Sequence, residues 1–521
     1  MKTANVITGC ACCRMNRRNF FAAGGTLCAG AASYMATGGL AAAAEGQAKT
    51  RIRIIYSLHG PKQTGPDWPN LGFDFVPVME RFEQELATRC SGFQFTPTLA
   101  TGPEQAQKIL DTDKAAPVDG YLVFQMNCWN RVVQTIATSG KPVLYADFQY
   151  AGSGGFLVYT ASFLRSKAAN VGFVASSRIE DLAEAVKCFD LVKKGGSVGE
   201  FVAATERVRL GATPPAGPFH CTADPLKPVP TAECAQRMRA SKILAVRSQE
   251  SGPDAPMFTI PVEKVSFAEV NDAWKTADQD ASRAVADRWQ KTAAVVAEVS
   301  RETLETSAAM YLGMKAVLKK HDANAITVNC LGGFYGGHIH AYPCLGFHEL
   351  LNEGLVGGCE CDVRSTASIV AVQCMTNGRP GYISDPVIDT AKRQIIYAHC
   401  VASNRMFGPT GQANPFQILT HSEDRKGASV RSLLPVGYLT STLEVRPDQK
   451  EILFHRAKAV ANDPDDRACR TKLAAEPLGD IEKMFRFWDQ WGWHRVTAYG
   501  DLREPVQALA DALGWKVVAE A

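Results

Sequence analysis

The chain has 521 residues, 46% hydrophobic and 21% charged, with a formal net charge of +3. Lys2, Arg14, Arg17 and Arg18 lie in the first 44 positions, which carry no acid, so the rest is near neutral, with 52 of the 56 basic side chains against 53 acidic. The absence of a basic face or aromatic-basic interleaf argues against nucleic acid as a partner, and no apolar run beyond the N-terminal segment approaches the ~18 residues of a membrane span.

Residues 1–44 read as a targeting segment: Asn16-Arg17-Arg18-Asn19-Phe20-Phe21 is a twin-arginine pattern, followed by a weakly apolar Gly/Ala-rich stretch and the small-residue run Ala41 to Ala44. Export of a folded protein to the periplasm is the expectation, a route suited to a metal loaded beforehand. Cys28 follows Leu27 directly and lacks a lipobox. Twelve of the sixteen cysteines lie beyond the segment. Cys221 and Cys234 flank a Pro-rich loop and are placed to pair in an oxidising compartment, whereas Cys359 and Cys361 are too close to bridge and read as small, buried residues.

From Arg51 strands and helices alternate as in parallel α/β units. RIRIIYSL, FQFTPTLA, VDGYLVFQM and KPVLYADF are strand patterns, separated by the helical FVPVMERFEQELATR, EQAQKILDT and WNRVVQTIAT. These make a first doubly wound domain over 51–166. GSGGF at 152–156 lacks dinucleotide-loop spacing and reads as a tight turn. A second α/β domain is expected over 167–330, with VGFVAS, the helix IEDLAEAVKCFDLVKK, SKILAVRSQ and AITVNC, interrupted by a Pro-rich insertion at 211–234. Long helical patterns fill 270–321. Past Leu331 the texture turns to Gly, Cys, His and short strands, marking a third, mixed α+β domain over 331–521.

That third region holds most of the candidate chemistry. Glu360 precedes the helix-like CDVRSTASIVAVQCM, Asp385 closes the short strand GYIS before a turn at Pro386, and His399 ends QIIYAH, which can fold back on GYIS through Asp389-Thr390-Ala391-Lys392. Two carboxylates and an imidazole suit Mn²⁺ or another divalent cation better than a thiolate site. Glu360, set in GGCECD, would be costly to bury without a cation or donors nearby. Six of ten histidines fall in recognisable motifs after Leu331: His338, His340, His348, His399, His421 and His494. Tyr335 and His340 in GGFYGGHIHAYPC, His421 in LTHSED and Arg470 in ACRTKL are candidates for binding a polar substrate. His348 reads as structural.

These motifs resemble the L-fucose isomerase/L-arabinose isomerase superfamily. The resemblance rests on YPCLGFHELLNEGLVGGCECDV, Gly-Arg-Pro-Gly-Tyr-Ile-Ser-Asp, IIYAHC, GYLTSTLEV and GWHRVTAYGD, and is clearest over 325–521. It implies two N-terminal α/β domains before a family-type C-terminal domain, Mn²⁺ held by Glu360, Asp385 and His494 with His399 as a further ligand or substrate contact, Glu360 and Asp385 as catalytic acids, and a homo-oligomer acting on a sugar. Trp493 stands where many relatives place a small polar residue, and export is unusual for a sugar isomerase. An exported metal-dependent glycosidase or lyase and a non-catalytic periplasmic sugar-binding protein therefore stay open beside aldose-ketose isomerisation.

Overall fold

The computed structural model describes residues 49–521; the expected export segment, with Cys10, Cys12, Cys13 and Cys28, lies outside them. The first sheet consists of β1 (Thr50–Ser57), β2 (Phe93–Ala100), β3 (Gly120–Gln125), β4 (Val143–Asp147) and β5 (Val171–Val174), ordered β2-β1-β3-β4-β5. All its pairings are parallel. Every residue of β3 is buried, as expected of a parallel sheet covered on both faces. Here the boundary at 166/167 moves: VGFVAS does not open a second domain, because Val171–Val174 pairs with β4 and completes the first sheet.

The second sheet follows β6 (Ile243–Ser248), β7 (Gly252–Met257) and β8 (Ile260–Ser266). A short β9 (Val295–Val296) leaves it before β10 (Ala325–Val328) and β11 (Val356–Gly358) return, giving the order β11-β10-β6-β8-β7. All its pairs are parallel except β7 with β8. The boundary expected at 330/331 therefore falls inside a β-α-β unit, whose crossover includes the helix Cys344–Asn352. The close approach of that helix explains the first glycine of β11, since a Cβ at Gly357 would lie 2.5 Å from Phe347 Cα, while one at Gly358 would fall 2.3 Å from Thr366 Oγ1.

The remaining strands are β12 (Tyr382–Asp389), β13 (Gln394–His399), β14 (Phe416–Leu419), β15 (Ser429–Ser432), β16 (Leu439–Arg446), β17 (Glu451–Asn462), β18 (Thr471–Pro477), β19 (Arg495–Tyr499) and β20 (Lys516–Ala519). Antiparallel pairing runs β16-β19-β12-β13-β18-β17, and β17 pairs back onto β16, closing a six-stranded barrel. Closure leaves no free edge in the ring; β20 adds in parallel outside β17. β14 and β15 form a small sheet with β9.

The helix Val363–Thr376 joins the second sheet to the barrel, touching β10 and β11 as well as β12, β16 and β19. Nearly all its side chains are buried, consistent with a sequence apolar or small all round. The Pro-rich stretch is loop until the helix Thr231–Ala240. Cys221 and Cys234 do not pair: both are free thiols, since the bridge of Thr222 to Tyr438 draws Cys221 to the barrel, while Cys234 is buried on its helix.

Candidate metal centre

Four side chains predicted from separate motifs converge. Glu360, Asp385, His399 and His494 each offer a ligand atom, all within 4.8 Å of one another. Glu360 reaches the cluster from the turn after β11, where it and Cys361 adopt left-handed φ of 59° and 51°. Non-glycine residues hold that conformation only where their surroundings fix it; here Cys361 N–H donates to Val328 O at 2.9 Å and Asp362 N–H to Cys359 O at 3.2 Å. Asp385 does not end a strand before a turn, as the sequence suggested. β12 runs on through Pro386 to Asp389, and proline is tolerated because pairing with β19 covers only Tyr382–Ser384. Asp385 lies opposite Ala398 on β13, the residue before His399, which ends that strand. His494 stands one residue before β19.

His399 Nε2 lies 3.6 Å from Glu360 Oε1 and 3.9 Å from Asp385 Oδ2. His494 Nε2 lies 3.5 Å from Glu360 Oε2 and 3.3 Å from Asp385 Oδ1. Both Nε2 atoms are buried without a hydrogen-bond partner, an expensive arrangement unless something else occupies the space between. Two orphaned imidazole nitrogens facing two carboxylates fit a borderline or hard divalent cation.

The two rings are prepared differently. His494 Nδ1 is 2.9 Å from Asp362 Oδ2, the carboxylate-histidine pairing that turns the lone pair of the other nitrogen toward a metal. His399 Nδ1 instead accepts the Cys400 N–H at 3.0 Å, which in a neutral ring leaves the proton on Nε2, so His399 can join a cation through Nε2 only by giving up that contact. Asp362 has a second task as the N-cap of the helix Val363–Thr376, accepting Ser365 N–H at 2.9 Å. The Trp493 indole N–H donates to Asp385 Oδ1.

Electrostatics match this geometry. Burial opposes ionisation of Glu360, but His494 and His399 prevail and hold its carboxyl down to about 2. Asp362, likewise buried, is held to about 2 by His494 and the Ser365 donors. His494 is pushed well above the usual imidazole range: desolvation works against the charge, and Asp362, Asp385 and Glu360 overcome it. Perturbed groups concentrate in this cluster, a pattern shared by functional sites and structural ion-pair networks.

The substrate-binding candidates divide. Tyr335 is 46% exposed, its hydroxyl 3.3 Å from Glu423 Oε2. His340 is exposed beside Trp274, on the second α/β unit. His421 is buried 3.4 Å from Asp424; burial is outweighed by that partner, and its imidazole is raised to about 9. Arg470 is buried and committed to Thr420 O, Thr420 Oγ1 and Asp466 Oδ1, so it fastens one loop to another. His348 is structural as read, bonded to Ala402 O.

The sequence reading missed Asp362 although it lies in the same CECD string, and missed Glu423, whose carboxyl burial raises to about 8, with Glu360 among the charges acting on it. It also missed Trp129. This side chain is 52% exposed at φ 65° and packs edge-on against Trp493 at 5.4 Å, presenting an aromatic surface from the loop after β3. A separate cavity of about 600 Å³ opens where β4 and β5 end, lined by Asp147, Tyr150, Arg178 and Arg467. Despite its size it does not include the four clustered residues.

No family model matches the chain. It is 25% identical over 213 residues to sulfoquinovose isomerase of Clostridium sp. (strain MSTE9), covering 39% of this chain and 46% of that protein. It is 26% identical over 219 residues to sulfoquinovose isomerase of Priestia megaterium (strain ATCC 12872 / QMB1551), covering 41% and 47%. The chain thus spans about half the length of the curated relatives it matches. A solved carbohydrate transporter from Acidothermus cellulolyticus 11B in complex with myo-inositol is 12% identical over 56% of this chain and 79% of that one, with a TM-score of 0.17, too low to carry an argument.

Proposed function

We propose that this chain is a metal-dependent sugar isomerase of the fucose/arabinose isomerase type, interconverting an aldose and its ketose through an enediolate. The observation that carries the reading is the convergence of Glu360, Asp385, His399 and His494 around two orphaned imidazole nitrogens. The partial similarity to proteins named sulfoquinovose isomerase supports the reaction class.

Isomerisation removes a proton next to a carbonyl and returns it to the neighbouring carbon, so it needs a proton acceptor, a proton donor and stabilisation of the developing oxyanion. Glu360, Asp385 and His494 would hold the cation, with His399 facing it as a fourth ligand or as a donor to substrate. A divalent cation there would polarise the carbonyl and adjacent hydroxyl. Glu360, ionised at neutral pH, serves as a proton acceptor; Asp385, oriented by the Trp493 indole, exchanges the proton at the other carbon. Asp362 keeps the His494 ring aimed inward. Trp129 and Trp493 offer apolar faces that suit the C–H surface of a sugar ring. The same proposal includes a homo-oligomer, with periplasmic export directed by the twin-arginine segment.

The test incubates the purified protein with a panel of free monosaccharides before chelation, after chelation, and after Mn²⁺ is restored. Mass-conserving aldose-ketose conversion that disappears on chelation, returns with Mn²⁺ and is abolished in Glu360→Gln is expected. Turnover that survives both treatments, or release of a fragment from glycosides alone, would remove the proposal.

A further inference from the structure

Beside the candidate metal centre lies a pair of thiols with no part in the reaction above. Cys330 and Cys359 are 2% and 4% exposed, and their Sγ atoms are 3.4 Å apart. The topology explains the contact. β10 and β11 are adjacent parallel strands with Thr327 opposite Gly358; Cys359 follows β11 directly, and Cys330 opens the short helix Cys330–Tyr335 just after β10. Neighbouring strands lie about 4.8 Å apart, a spacing compatible with the Cα separation of a disulfide. Among the described residues, Cys400 and Cys469 also approach one another, but each contacts the Ser422 hydroxyl, at 3.6 and 3.7 Å.

We propose that Cys330 and Cys359 form an oxidisable dithiol whose closure to a disulfide displaces Glu360 and weakens cation binding at the cluster. The chemical partner is a hydroperoxide; the short helix that begins at Cys330 ends at Tyr335, and Tyr335 to His338 are exposed. In the first step one thiol gives up its proton and its sulfur attacks the peroxide; an S–O bond forms, the O–O bond breaks, and the departing hydroxide or alkoxide takes up that proton and leaves as water or an alcohol, the sulfur now being a sulfenic acid. In the second step the other thiol gives up its proton and its sulfur attacks the sulfenic sulfur; an S–S bond forms, the S–O bond breaks, and the departing hydroxide takes up that proton and leaves as water. Two electrons pass from the thiol pair to the peroxide. Shortening 3.4 Å to a disulfide bond moves the sulfurs together by roughly 1.3 Å, and Cys359 is joined by one peptide bond to Glu360, whose left-handed backbone leaves little slack. The coupling half of the proposal rests on the metal-site reading; the crosslink does not.

The experiment treats the intact, reduced protein with hydrogen peroxide, blocks residual thiols with iodoacetamide in denaturant, and maps the crosslink. Trypsin leaves His321 to Arg364 in one piece, so cleavage after Glu349, Glu353 and Glu360 is needed to part Cys330 from Cys359 and Cys359 from Cys361, and cleavage after Phe334 or Tyr335 to part Cys330 from Cys344. A Cys330–Cys359 crosslink, absent in Cys330→Ser and in Cys359→Ser, is expected. With it, Mn²⁺ affinity measured by calorimetry should fall about tenfold or more and recover with dithiothreitol. Exclusive linkage of Cys400 to Cys469, or thiols that stay free while Cys361 oxidises, would overturn the proposal. A mapped crosslink with unchanged affinity would overturn the coupling. If the reduced protein binds no Mn²⁺, the coupling falls with the metal reading, and the crosslink map still decides the dithiol.

Discussion

Glu520 holds the segment that presents His494, and its removal should be felt at both the barrel and the site. Its carboxylate, 1% exposed, accepts Arg495 Nε–H at 2.8 Å and pairs with His455 Nδ1 at 2.7 Å. Arg495, wholly buried, stacks 4.1 Å over Trp488 and spends Nη1 on the carbonyls of Gly492 at 3.1 Å and His494 at 2.9 Å. Glu520→Ala leaves a buried guanidinium without its counter-ion, a loss of about 3–5 kcal/mol, or roughly two to three and a half powers of ten in an opening equilibrium. Hydrogen exchange followed by mass spectrometry over 492–499 and 516–521 reads that opening locally. Protection should fall by that factor in Glu520→Ala and stay unchanged in Glu504→Ala, a control on the outer helix Arg503–Leu513. A loss of less than about 1 kcal/mol would refute the reasoning, since it would mean that Arg495 is held by its carbonyls and Trp488 alone.

Asp362→Asn should keep the helix cap, because asparagine also caps well, yet remove the charge that holds His494; Mn²⁺ affinity should fall by about tenfold to a hundredfold with little change in thermal midpoint, by calorimetry and circular dichroism. Glu444 is raised to about 7 by burial and by Asp362, against the Ser365, Ser368 and Val445 donors. Its folded value lies above its unfolded one, so its contribution is intact below about pH 4.5 and is lost as pH rises through about 7. Glu444→Gln, which cannot ionise, should therefore match the parent at pH 4 and exceed it by up to roughly 3 kcal/mol above pH 7, measured by urea unfolding at several pH values; a parent more stable at pH 8 would contradict this.

The alternating pattern made the parallel α/β units legible, because buried parallel strands and their covering helices each leave a strong periodic signature. Which sheet a strand joins leaves none: Val171–Val174 and Val356–Gly358 are placed by tertiary pairing. GSGGF looked like a turn but opens the helix Ser153–Ser166. Its glycines answer to crowding, since a Cβ at Gly152 would fall 1.9 Å from Gln125 O and one at Gly154 2.5 Å from the Trp493 ring. Glu360, Asp385 and His399 were legible from residue type and spacing, two carboxylates and an imidazole around one helix-strand unit, whereas His494 was legible only through the resemblance carried by GWHRVTAYGD. Asp362 and Glu423 were not, because a cap and a loop acid have ordinary local explanations, and only the folded chain sets one against His494 and the other within electrostatic reach of Glu360.

The most direct test of the central claim is Mn²⁺ titration of the chelated protein by electron paramagnetic resonance, alongside Asp385→Ala, His399→Ala and His494→Ala. One ion per chain should bind the parent. Asp385→Ala and His494→Ala should lose the site, while His399→Ala, whose ring accepts a backbone N–H at Nδ1, should retain weaker binding. No binding to the parent, or equal binding to all four proteins, would contradict the account.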